Sequence, residues 1–151
     1  PLGTTANRMG RVAGANAAGG RERFEGVAGT SIVRVAGLAV AVTGLSQQQA
    51  RREGFSPVEA VVEGREKAKY FFGRTISVQL VADRNSRRLL GAAVTGDEGV
   101  LARINTVAAA LAARMDAETF AGIDLAYAPP YSTVTDPLLV CAGQLLRLLG
   151  H

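Results

Sequence analysis

The sequence is poor in the residues that most often carry chemistry. Among 151 residues there is one cysteine, Cys141, and one histidine, His151. A single cysteine excludes an internal disulfide and any zinc site built on thiolates. Such sparing use of cysteine is the habit of a cytoplasmic protein. A single histidine at a frayed end leaves no Ser-His-Asp set and no metal constellation. No apolar run reaches the ~18 to 20 residues that span a bilayer, so no membrane partner is expected. The start, Pro-Leu-Gly, has no Met and no charged-then-apolar leader. It is expected to be the cut edge of something longer. The glycine-rich stretches GANAAGG and GVAGTS do not follow a strand in a dinucleotide or P-loop frame, so neither is a phosphate loop by spacing. There is no internal repeat and no low-complexity tract.

Apolar residues make up 48% of the chain, enough for one domain with a real core. Lys and Arg number 17 against 13 Asp and Glu, a net charge of +4. The bases are interleaved with acids. Even the densest group, Arg65, Lys67, Lys69 and Arg74, has Glu63 and Glu66 mixed in. A nucleic-acid surface wants a basic stripe with few acids. These charges read instead as a solvated surface, with no nucleic-acid partner.

The opening stretch predicts a helix from about Thr5 to Ala18, with Thr4 or Thr5 as N-cap and Gly19-Gly20 as its stop. Gly10 and Gly14 weaken that helix, so another backbone is expected to pack close to them. Residues 21 to 29 read as a polar linker. SIVRVA and LAVAVTG then predict two strands joined by a tight turn at Gly37. A short helix follows, capped by Ser46 and stopped by Gly54. PVEAVVEG and ISVQLVA alternate as one-sided strands, and RLLGAAVTG is the return strand after the turn DRNSRR. From Glu98 the period becomes helical. Val100, Ile104, Val107, Leu111 and Met115 share one face, with Arg103 and Arg114 placed off it. Asp116 to Phe120 is a shorter helical segment. Asp136 and Pro137 are an N-cap and first-turn pair for a last helix, LLVCAGQLLRLLG, whose leucines cover nearly its whole circumference. Such a helix is expected to be buried on most sides, in part by a second copy of the chain. Strands followed by helices, without strict alternation, indicate an α+β fold: an antiparallel sheet with helices packed on one face.

Two aromatic stretches invite a functional reading. Tyr70, Phe71 and Phe72 follow Lys67 and Lys69, an arrangement that suits either core filling or a ligand-facing phenol. Tyr127 and Tyr131 bracket Pro129-Pro130, which removes two amide donors and fixes φ. Ala128, before a proline, is pushed to an extended conformation. The stiffness sets where the phenols point, or merely feeds the turn into the last helix. Cys141, inside that apolar helix, reads as a small buried hydrophobe rather than a reactive thiol.

Three stretches, PLGTTANRMGRVAGANAAGG, FEGVAGTSIVRVAGLAVAVTGL and AYAPPYSTVTDPLLV, resemble the carboxyl-terminal part of the pyridine nucleotide-disulfide oxidoreductases. The similarity is to the branch of coenzyme A disulfide reductases, NADH oxidases and NADH peroxidases. It runs over almost the whole chain, with the motifs in the family's order. The resemblance implies that residues 1–20 are the last helix of an FAD domain, 21–29 a linker and 30–151 a dimerisation domain. It implies FAD and NAD(P)H as cofactors of a full-length homodimeric oxidoreductase, with the nucleotide fingerprints and the redox cysteine outside these residues. This piece alone is then expected to be inactive. Tyr70 and Tyr127 would reach the partner's redox cysteine as catalytic phenols. Thr4 and Thr5, at the amino end of the first helix, would face the flavin pyrimidine ring, where the helix dipole favours negative charge. The disulfide-reducing pattern Tyr-Tyr-Pro-Gly stands here as Tyr70-Phe71-Phe72-Gly73, which leaves disulfide, oxygen and peroxide open as substrates. The other reading of these residues is a stand-alone α+β dimerisation or ligand-binding module without redox chemistry.

Overall fold

The computed structural model describes residues 3–150. Pro1, Leu2 and His151, on which the readings of the cut start and of the lone histidine rest, lie outside the described residues.

The chain begins with a helix, α1 (Gly3–Ala17), which buries no residue. Its last turn is closed by the Gly20 amide on the Ala15 carbonyl at 2.9 Å. Two hydrogen bonds between Asn16 and Glu22 fold the following segment back on it. A Cβ at Gly10 or Gly14 would meet nothing within 4 Å. The backbone expected against these glycines is therefore not supplied by the described residues.

Two strands follow, β1 (Ser31–Val35) and β2 (Leu38–Gly44), paired antiparallel. Their turn puts Ala36 at φ 49 and Gly37 at φ 85, the left-handed pair that matches the natural twist of a hairpin. Next comes α2 (Gln47–Arg52), with Ser46 and Gln49 forming a reciprocal capping box. Three more strands, β3 (Pro57–Arg65), β4 (Thr75–Asp83) and β5 (Leu89–Gly96), complete one five-stranded antiparallel sheet in the order β1-β2-β5-β4-β3. The β4–β5 turn is held by the Asp83 carboxylate, which accepts from the Ser86 amide and hydroxyl and from the Ser56 amide.

Two helices, α3 (Val100–Ala112) and α5 (Pro137–Leu149), cover one face of this sheet; α3 lies on β2 and β5, and α5 on β3 and β4. A short helix between them, α4 (Ala117–Ala121), packs on α5 and buries Phe120. The fold is thus α+β with an antiparallel sheet and its main helices on one side. Alternation along β4 sends Ile76, Val78 and Leu80 to the core, where they meet Ile104, Val107, Leu138 and Leu145. A bulge between Val81 and Ala82 breaks the alternation, so both are buried. On the other face Val33, Val35, Leu38, Val42 and Val61 remain exposed.

Within this one chain the last helix is buried along one side, and its other side is the face expected to meet a second copy. Pro137, Leu138, Cys141, Ala142, Leu145 and Leu149 face the sheet, whereas Val140 and Leu148 point outward. Its first turn sits close on β3. A Cβ at Gly64 would come within 3.0 Å of the Pro137 ring, so the glycine makes room for the helix start. The Cys141 thiol lies against the Ala60 and Val78 carbonyls at 3.4 Å, and burial pushes its pKa up to about 12. It is a core residue and no thiolate at neutral pH.

These placements separate self-burial from outward exposure along one helix. Leu145→Ala should lower the unfolding free energy by about 2–5 kcal/mol, the usual cost of emptying a fully buried leucine site. Urea denaturation checks this, and a loss under ~1 kcal/mol would mean that Leu145 is not core.

Candidate functional site

Two loops meet at one end of the sheet. The first runs from Glu66 to Arg74, between β3 and β4, and contains a single 3₁₀ turn, Lys69–Phe71. Its mouth is closed by the Glu66 amide on the Arg74 carbonyl at 3.0 Å, and by the Arg74 amide on Glu66 Oε1 at 3.1 Å. Within it the Phe71 and Gly73 amides both donate to the Ala68 carbonyl. Phe72 takes the left-handed conformation, φ 59, and stands almost free of contacts. A Cβ on Gly73 would overlap the Lys67 carbonyl, so only glycine closes the turn here. The Tyr70 ring tilts against Phe71 with centroids 5.2 Å apart.

The second loop runs from Gly122 to Asp136. The Ala128 carbonyl accepts from the Tyr131 amide at 2.9 Å and the Ser132 amide at 3.1 Å, bending the chain over the two prolines. The Ala68 amide donates to the Pro129 carbonyl at 3.3 Å, which stitches the two loops together. Tyr70 is 72% and Tyr127 47% exposed. Both phenols are therefore presented on adjacent loops and available to another molecule.

Beneath the loops lies a buried charge pair. Arg103, on α3, donates from Nε to Asp136 Oδ1 at 2.9 Å and from Nη2 to Oδ2 at 2.7 Å. Nη2 also reaches the Glu66 carbonyl at 3.0 Å. Asp136 in turn caps α5 through the Leu138 amide and accepts from the Ser132 hydroxyl at 2.7 Å. Burial alone would raise the Asp136 pKa. The hydrogen bonds from Arg103, Leu138 and Ser132, with the arginine charge, outweigh it and hold the carboxyl below its ordinary value. Glu66 is also buried, its second oxygen accepting from the Glu98 amide at 2.8 Å.

This corrects two readings from the sequence. Arg103 does not sit off the apolar face of α3, and Glu66 is not part of a solvated charge cluster. The spacing of Arg103 carried the signal: Val100, Arg103 and Val107 are three and four residues apart, on one stripe. No comparable signal marks Glu66, whose burial depends on the loop closing over it. Of the bases in that group Arg65, Lys69 and Arg74 are exposed, while Lys67 is partly buried. Lys67 pairs with Glu98 at 2.6 Å and Arg74 with Asp97 at 2.6 Å.

Thr4 and Thr5 are inside the first turn of α1 rather than capping it, since Gly3 is already helical. They line a cleft of about 680 Å³ with Arg8, Val27, Leu111 and Arg114, apart from the two tyrosine loops. Among the described residues no group of three or more His, Cys, Asp or Glu is placed to hold a metal ion. No helix among them is long and apolar enough to cross a membrane.

The domain is thus a one-sided α+β sheet that displays two tyrosines on stitched loops and leaves apolar side chains outward. The chain belongs to the pyridine nucleotide-disulphide oxidoreductase dimerisation domain family, whose model matches residues 30–137. It is 41% identical over 146 residues to an NAD(P)H sulfur oxidoreductase (CoA-dependent) of Pyrococcus furiosus, covering 96% of this chain and 33% of that protein. It is 30% identical over 153 residues to a coenzyme A disulfide reductase of Staphylococcus haemolyticus, covering all of this chain and 32% of that one. Among solved structures, an NAD-dependent persulfide reductase from A. fulgidus superimposes with a TM-score of 0.89 at 35% identity, over 95% of this chain and 27% of the other. The chain thus spans about a third of the length of the curated relatives it matches.

The charge pair predicts a pH signature. A carboxyl with a depressed folded pKa adds stability above the ordinary aspartate range and loses it as pH falls through the folded value. Thermal melts should therefore fall from about pH 5 toward pH 3. Asp136→Asn should melt lower at neutral pH but lose less over that window. Equal slopes for both proteins would show that Asp136 is not held ionised by Arg103. Asp83 and Asp116, also depressed, contribute with the same sign to both and cancel in the comparison.

Proposed function

We propose that this chain is the dimerisation domain of a homodimeric flavin-dependent NAD(P)H oxidoreductase that reduces a sulfur–sulfur bond, and that Tyr70 and Tyr127 complete the reaction centre of the partner subunit. The observation that carries this reading is the joint exposure of two phenols on loops stitched by the Ala68–Pro129 hydrogen bond. A phenol in a crevice between subunits can donate a hydrogen bond or a proton to a departing thiolate. The named sulfur and persulfide reductases among the relatives support the substrate class.

In this reading residues 1–20 are the last helix of an FAD-binding domain, 21–29 a linker and 30–151 the dimerisation domain. The burial pattern supports it, since α1 buries nothing against the rest of the chain. Thr4 is exposed and Thr5 half-buried in the first turn, which holds no acidic residue, and Arg8 and Glu25 both line the same cleft. That end of α1 therefore fits an electron-rich ring edge, favoured by free amides and by the helix dipole. FAD, when bound, would supply the two electrons drawn from NAD(P)H. The residues of this chain would orient its ring and hold a proton at the tyrosine hydroxyls.

Oxygen reduction is a second reading with its own support. Position 72 is proline in the disulfide-reducing pattern, but a proline ring holds φ near −65°, and Phe72 sits at φ 59. The loop backbone therefore differs from that pattern. An NADH oxidase of Methanocaldococcus jannaschii is 30% identical over 152 residues.

Dimerisation is proposed through the outer face of α5 and the Tyr-Pro-Pro loop. Val140 and Leu148, 40% and 46% exposed, supply apolar side chains there, so covering each adds less than half of the ~1.5–3 kcal/mol that full burial is worth. Leu148→Asp should then shift the full-length protein from dimer to monomer in sedimentation without melting this domain. A dimer that survives it unchanged would move the interface elsewhere. Tyr70→Phe and Tyr127→Phe should each lower kcat with a disulfide or persulfide by about 100-fold, the low end for a general acid. Flavin content and flavin reduction by NAD(P)H should stay normal. Wild-type kcat in both variants would overturn the reading, and a loss confined to oxygen turnover would favour the oxidase.

A further inference from the structure

The buried pair does more than start a helix. We infer that Arg103 is the positioning residue that sets the two phenols in register, by holding both tyrosine loops with one guanidinium. This rests on the functional reading above, because it gives Arg103 a role through Tyr70 and Tyr127.

The argument is geometric. Among the described residues one direct hydrogen bond joins the loops, Ala68 to Pro129 at 3.3 Å, near the long limit for such a bond. Arg103 supplies the stronger link. One edge of its fork grips the Asp136 carboxylate at 2.9 and 2.7 Å, at the end of the Tyr127 loop. The same Nη2 atom donates to the Glu66 carbonyl at 3.0 Å, at the start of the Tyr70 loop. Nη1 returns to the Gly99 carbonyl at 3.3 Å and fixes the side chain on its own helix. Further hydrogen bonds run outward from each anchor. Glu66 closes the first loop through the Arg74 amide, and Asp136 holds Ser132, whose amide is bonded to the Ala128 carbonyl beside Tyr127.

The planar guanidinium matters as much as its charge. A fork of donors in one plane can satisfy a carboxylate with two parallel bonds and still spare a proton for a carbonyl. A lysine ammonium in the same place keeps the charge but cannot reproduce those three directions together. Arg103→Lys is therefore the informative change: it leaves Asp136 paired with a cation and releases the relative placement of the loops.

The test uses the full-length protein with its flavin. Two quantities are read for Arg103→Lys: hydrogen exchange at the Ala68 amide, set against the β4 amides of Val78 and Leu80, and kcat set against KM for NAD(P)H. The expected result is faster exchange at Ala68 with the strand amides unchanged. With it, kcat for the sulfur substrate should fall about 10- to 100-fold, as small misplacements of catalytic groups do, while flavin content and the NAD(P)H KM hold. Exchange that rises equally at all three amides, or at none, would overturn the inference and leave Arg103 a residue of the fold alone. Should Arg103→Lys fail to fold, Asp136→Asn serves instead. It sets an amide NH2 against one of the two guanidinium N–H groups that the carboxylate now accepts from, and should move the same two readouts in the same direction. No movement in either would sink the idea. Failure of the functional reading looks different: the tyrosine-to-phenylalanine variants would then keep wild-type kcat, whatever happens at Ala68.

Discussion

The Arg103–Asp136 pair is the constraint on which the functional end of this domain depends. Both side chains are largely removed from water, and removing one partner of such a pair costs about 3–5 kcal/mol because the other is left buried and uncompensated. The pair joins three elements that no apolar contact could register so sharply. It ties α3 to the first turn of α5, and through the Glu66 carbonyl it ties both to the end of β3. Hydrophobic burial is strong but indifferent to direction. The core beneath, from Ile76 and Leu80 to Leu138 and Leu145, holds the helices on the sheet. The guanidinium then decides where the loops at their ends point.

A division of labour follows for α5. Its inner face belongs to the core and its outer face keeps Val140 and Leu148 for another surface. Its first turn belongs to the site, since Asp136 caps it and at the same time binds Arg103. Folding of this helix and placement of the tyrosine loop are thus one event. The far end of the chain works differently: α1 has no buried residue and no close neighbour at Gly10 or Gly14. Its glycines have no packing role among the described residues, which supports the proposal that this helix belongs to a neighbouring domain.

Much of this was legible from residue order. Strand alternation, the Gly37 turn, the Ser46 cap and the Asp136-Pro137 start are local signals, and local physics settles them. So is the stiffness of the Pro129-Pro130 loop. The charged residues were harder. Arg103 and Glu66 look like surface residues because their burial depends on partners 33 and 37 residues from Arg103 in the chain. A charge at the edge of an apolar stripe is read as solvated unless its counter-charge is known to sit opposite. The outward apolar residues of α5, Val140 and Leu148, posed the reverse difficulty: composition showed an excess of apolar residues, but only the sheet beneath shows which of them are spare. The proximity of the Tyr70 and Tyr127 loops is a third such case, a contact made by topology across more than fifty residues.

The central claim is that the two phenols serve the other subunit, and mixed dimers test it most directly. One chain would carry Tyr70→Phe and Tyr127→Phe with an intact redox cysteine. The other would keep both tyrosines but have that cysteine replaced by serine. Each variant alone forms a dimer with no complete site. On this account, mixing them restores activity toward a persulfide or disulfide, because the intact cysteine of one chain meets the intact tyrosines of the other. A mixture that stays as inactive as its parts, with mixed dimers shown to form, would contradict it.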